Sequence, residues 1–171
     1  MSLRPLPLCA SAAVALVALM PASPAGAQAV DCRGLADDDA VVCEINRFRD
    51  ARGLELLALD RRLRRAAVRQ ARDMVARRYF SHVTPEGLRP SARLRAAGFI
   101  TGPVAWHVGE VLCWGRGELS TPAATVAAWM RSASHRRIIL GSFAEIGVGV
   151  ARGTPVGGRG ATYAADLGSL G

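Results

Sequence analysis

The chain has 171 residues, half of them hydrophobic, and a formal net charge of +8. That length suits one domain with an ordinary core and leaves little room for a second. Every basic residue except the histidines is arginine. The arginines scatter over three predicted helices with no interleaved aromatics, which speaks against a nucleic-acid strand groove and leaves solvated helix faces or attraction to an anionic wall polymer or membrane surface.

The N-terminus reads as a targeting segment over residues 1–29. Arg4 supplies a positive start, residues 6–20 are apolar, and residues 21–29 offer small-x-small cleavage sites. The apolar run is too short for a comfortable membrane span. Cys9 lies within it and is expected to leave with it. The mature product is expected to be exported, secreted or periplasmic, with no stable membrane span. Three cysteines then remain in an oxidising compartment. Cys32 and Cys43 flank Asp37, Asp38 and Asp39, and a bridge between them would staple an N-terminal arm (30–39) to the first helix. Cys113 lies in a strand pattern and reads as a small buried hydrophobe. Pairing of Cys43 with Cys113 is the alternative.

Asp39 is expected to cap a helix over 40–52, with Val41, Ile45 and Phe48 as its apolar stripe and Gly53 as its end. Residues 54–59 read as a connector. Asp60 caps a second helix over 61–78, with Leu63, Ala67, Ala71 (or Gln70) and Met74 facing inward and Arg61, Arg62, Arg65, Arg69 and Arg72 facing out. His82 follows two aromatics and precedes the turn 84–87. Pro90 opens a third helix, closed at Gly98.

A strand pattern covers most of 102–117. Val108, Glu110, Leu112 and Trp114 share one face, so Glu110 is a carboxylate among large apolar neighbours. Burying it alone is expensive. Its partner should be a histidine, an arginine or a bound cation. His107 points the other way and reads as a surface residue.

Thr121 and Pro122 start a fourth helix with Val126, Trp129 and Met130 buried. Ser132, Ala133 and Ser134 break it, and His135 stands just past the break. Glu145 heads a strand in which Ile146, Val148 and Val150 face one way and Gly147 and Gly149 the other. That bare glycine face would admit a close helix or leave a cleft. The glycine-rich loop 153–160 lacks a phosphate-cradle ending and reads as a hairpin connection to a last strand, 162–167. No HExxH, GxSxG or paired CxxC occurs.

The runs AWMRSASHRRIIL and EIGVGV, with EINRFRDARGLELLALD, ARDMVARRYFSHVTPEG and VGEVLCWG in order before them, resemble the CAP superfamily of cysteine-rich secretory, antigen 5 and pathogenesis-related proteins, in its bacterial secreted branch. The resemblance covers residues 40–168 and implies one domain over 40–171. It implies an α+β fold, an α-β-α sandwich with helices on both sides of a small, mainly antiparallel sheet. It matches His82, Glu110, His135 and Glu145 to the cleft tetrad of that family. Two imidazoles suit Zn²⁺ or another divalent cation, with the carboxylates orienting its waters. The chain departs from the family pattern at Val111, Ser134 and Ile138. Two functions stay open. One is a secreted, monomeric binding module with a cation-capable cleft, taking lipid, an anionic envelope polymer or a peptide. The other is a metal-assisted hydrolase or peptidase acting on an extracellular or cell-wall substrate.

Overall fold

The computed structural model describes residues 31–171; the expected targeting segment, residues 1–29 with Cys9, lies outside the described residues. Helix α1 spans Asp37–Asp50, α2 Arg61–Ala76, α3 Pro90–Ala96, α4 Pro122–Arg131 and α5 Ala133–Ile139. Strand β1 is Ala58–Leu59, β2 Trp106–Gly115, β3 Glu145–Arg152 and β4 Ala161–Leu170. The sheet order is β1-β3-β4-β2. β1 runs parallel to β3, and the other pairings are antiparallel. This is the expected α+β sandwich.

The glycine face of β3 settles how the first layer packs. A Cβ at Gly147 would lie 2.0 Å from the Arg64 backbone nitrogen, and one at Gly149 2.2 Å from the Ala67 carbonyl carbon. The face is therefore filled by α2 backbone and is not a cleft. Ala67, Ala71 and Met74 of α2 pack on Leu112, Ala151 and Ala164, while Leu63 and Ala66 meet Leu94 and Phe99 beside α3. The opposite face carries the larger core. There Val41 and Ile45 of α1 and Val126 and Trp129 of α4 bury Val111, Ile146, Val148 and Tyr163.

Asp60 caps α2 as expected, accepting from the backbone N–H groups of Arg62 (2.7 Å) and Leu63 (2.9 Å). Thr121 caps α4 through Ala124 N–H. The first helix starts earlier than expected, at Asp37, with Ala36 before it and no side-chain cap. Asp39 lies inside the first turn and pairs with Arg64, which also holds Asp38 at 2.9 Å. Three carboxylates in that turn favour the positive helix end without a capping bond. The connector after α1 contributes β1, and the break after α4 is Ser132 alone, followed by the short α5.

Cys32 and Cys43 are bridged, with Cα atoms 5.7 Å apart. Cys113 is a free, half-buried thiol whose pKa is pushed up by burial. Among the described residues no helix is long and apolar enough to cross a membrane.

Candidate functional site

β2 is an edge strand of the sheet, and the site is built around it. His82 arrives on the loop after α2. Arg78 takes a left-handed turn there, with φ 56°. Tyr79 N–H then bonds the Met74 carbonyl, and the Tyr79 hydroxyl donates to Asp73 at 2.6 Å. Buried Gln70 donates to the Ser81 carbonyl, and Arg93 of α3 donates to the His82 carbonyl at 2.8 Å. The histidine backbone is thus held from both α2 and α3.

Glu110 is buried on β2, and both its oxygens are taken. His82 Nδ1 meets Oε1 at 2.6 Å, and the Arg93 guanidinium pairs with Oε2. Of the three partners open to it, a histidine, an arginine or a cation, it has the first two. The Nδ1–H bond leaves Nε2 as the free nitrogen of a half-exposed ring.

Asp166 is the residue that sequence reasoning missed. It stands directly opposite Glu110 on β4, with Gly147 on its other side. It is 1% exposed, and no donor reaches either carboxyl oxygen. Burial first, then the charge of Glu110, push its pKa well up, against a weaker pull from Arg93. The signal available in sequence was its alternation parity in the last strand, which puts it on the same face as the glycines.

His135 lies on α5, half-buried. Arg136 of this helix donates to the Met130 carbonyl near the end of α4, and buried Arg49 donates to the Ile139 and Gly141 carbonyls at the end of α5. Desolvation, then the charge of His82, lower the pKa of His135. The two histidines therefore lie within electrostatic reach of each other, and the neutral form of His135 is favoured.

Glu145 lies apart from this group. It opens β3 beside β1, in register with Gly168 of β4, which in turn faces Val108 of β2. Two strand spacings separate its backbone from β2, roughly 10 Å. Its nearest cation is Arg62 at 4.0 Å, which is chiefly engaged by Asp60 at 2.7 Å.

These positions bear on a cation. Among the described residues no three His, Cys, Asp or Glu side chains form a group able to hold a metal ion. Glu110 has no free oxygen for a ligand role, and Glu145 is distant. A cage of protein ligands therefore does not form among the described residues.

The fold has counterparts among known proteins. The model of the cysteine-rich secretory protein family, CAP, matches residues 42–164. "Uncharacterized protein YkwD" of Bacillus subtilis strain 168 is 35% identical over 115 residues, 67% of this chain and 42% of that protein. The chain thus spans less than half the length of this curated relative. Two solved structures share the fold. An extracellular protein containing a SCP domain from Bacillus anthracis str. Ames superposes with a TM-score of 0.63 at 24% identity, over 77% of this chain and 39% of that one. An outer surface protein from Borrelia burgdorferi superposes with a TM-score of 0.64 at 20% identity, over 77% of this chain and 90% of that one. With the family match covering most of the chain and these folds agreeing with the sandwich described above, the chain belongs to the cysteine-rich secretory protein (CAP) family.

Proposed function

We propose that this protein is a secreted binding module of the cell envelope whose recognition site is the cleft at the β2 edge, formed by His82 and His135. The observation that carries the reading is the clamp on Glu110. A buried carboxylate held by Arg93 on one oxygen orients His82 through the other, so one imidazole is fixed with its Nε2 free. His135, whose neutral form is favoured by burial, would supply a second nitrogen. Such a pair would bind a first-row divalent cation loosely or donate to a polar ligand head. Export is supported by the N-terminal leader pattern, by the disulfide, and by relatives described as extracellular or outer-surface proteins.

The same His82–Glu110 pair is what favours the second reading, a metal-assisted hydrolase, because a carboxylate-braced imidazole is also a general-base arrangement. The binding role ranks first because a metal-assisted hydrolase needs a firmly held ion, and no three His, Cys, Asp or Glu side chains group to hold one among the described residues.

Calorimetric titration with Zn²⁺ tests the cation role. The wild-type chain should bind, and His82→Ala with His135→Ala together should lower affinity at least ~10-fold. Binding should weaken at acid pH, where protons compete with the cation for the imidazole nitrogens. Unchanged affinity in the double variant would remove the cation from the proposal. Turnover of peptide substrates that depends on added Zn²⁺ and on His82 would favour the hydrolase.

A further inference from the structure

A second cleft lies on the outer side of Arg93, between α2, the 84–88 turn and α3. It measures about 410 Å³, and Ala66, Leu88, Ala92 and Ala96 give it apolar walls. Its charged residues are Arg69, Asp73, Arg77, Glu86 and Arg93. Four of these are committed. Arg77 pairs with Glu86 and lies 3.6 Å from Asp73, and Arg93 is held by Glu110. Arg69 is exposed and has no partner among the described residues.

Arg69 is also one member of a row. Arg61, Arg65, Arg69 and Arg72 are all exposed on α2. Spacings of four, four and three residues place them about 6, 6 and 4.5 Å apart along the helix axis. None forms an ion pair among the described residues; the one hydrogen bond is from Arg65 to the Ala97 carbonyl at 2.9 Å. The three acidic residues in the first turn of α1 do not relieve the row, because Asp38 and Asp39 are taken by Arg64 and Asp37 by Arg152. Four uncompensated cations at helical-turn spacing, opening onto a cleft with short apolar walls, complement a chain whose negative charges recur with small carbon spacers between them.

We infer that the α2–α3 face binds a linear phosphate polymer, with the phosphates along the arginine row and one carbon spacer seated in the cleft beside Arg69. A nucleic-acid strand is disfavoured because no aromatic residue lies in the row for bases to stack on. A bilayer is disfavoured because no large apolar side chain interrupts the row to insert. Gln70 and Arg93 line this cleft and also hold the His82 loop, but the arginine row lies outside the histidine site and is tested by a separate readout.

The test uses soluble poly(glycerol phosphate) as the probe, with affinity measured over a salt series. Four phosphate contacts on a flexible strand predict a slope of log K against log salt of about −2.8, or roughly a 50-fold loss between 50 and 200 mM salt. The Arg61→Gln, Arg69→Gln, Arg72→Gln triple variant should reduce that loss to about 3-fold. These side chains are exposed, so its melting temperature should match wild type. Ala92→Leu, which fills the cleft, should weaken binding while leaving the slope unchanged. An unchanged slope in the triple variant would overturn the inference. So would equal or tighter binding, per phosphate, of phosphatidylglycerol vesicles or of a single-stranded oligonucleotide, which would reassign the face to a membrane or a nucleic acid.

Discussion

Asp166 shows how one residue can hold a cost inside a packed sheet. Its position across from Glu110 puts two carboxyls side by side with one arginine between them and solvent. Its pKa is raised in the folded state, so folded protein holds its proton more tightly than unfolded protein does. Stability contributed by this site is therefore full below the unfolded value of about 3.9 and declines as pH rises above it. Asp166→Asn keeps the shape and removes the ionisation. The variant is expected to match wild type near pH 4 and to gain on it progressively toward neutral and alkaline pH. Paired thermal melts across pH measure this, and a constant difference between the two proteins would contradict it. His135 works in the opposite direction. Its lowered pKa means that the unfolded chain takes up the proton first, so its contribution is lost as pH falls below about 6.5.

At the scale of elements, the contact of α2 with β3 sets the architecture. Gly147 and Gly149 are required because helix backbone occupies the space where their side chains would stand. Backbone cannot rotate away as a side chain can. Gly147→Ala is expected to shift α2 and to destabilise by about 3 kcal/mol, the upper end for overpacking. Because α2 carries Gln70, which holds the Ser81 carbonyl, the same shift should displace His82. Chemical denaturation gives the first effect, and the His82 ring resonances in an NMR spectrum give the second. Wild-type stability in this variant would mean that the contact is looser than the distances state. The helix cap is a smaller term: Asp60→Ala should cost about 1 kcal/mol.

At the scale of the whole molecule, the Cys32–Cys43 bridge ties the start of the described chain to α1 across 11 residues. Opening a loop of this size should cost about 3 kcal/mol by the chain-entropy argument. Cys32→Ser with Cys43→Ser is therefore expected to lower the denaturant midpoint while leaving the far side of the sheet, with β2 and His82, unchanged. Loss of the His82–Glu110 contact in that variant would show instead that the arm supports the site. Arg49 has a longer reach. Its buried guanidinium serves carbonyls of the α1–β1 connection and of the end of α5, joining segments about 90 residues apart in sequence.

Much was legible in the sequence because local physics and pattern suffice for it. Helical stripes, the Asp60 and Thr121 caps, and the two-residue alternation of β2, β3 and β4 all depend on near neighbours, as does the proximity of Cys32 and Cys43. Even the need of Glu110 for a partner could be read from its apolar flanks. Which partner it takes could not, because His82 and Arg93 reach it only when α2 and α3 dock on the sheet. The same holds for Asp39, which looks like a cap in sequence but is drawn to Arg64 across a helix interface. It holds for Glu145 too, which motif order groups with the histidines and strand order separates from β2. Sequence patterns report the period of an element and the chemistry of each side chain. Strand order and register decide which of those side chains meet, and they are fixed by long-range packing that no local pattern contains.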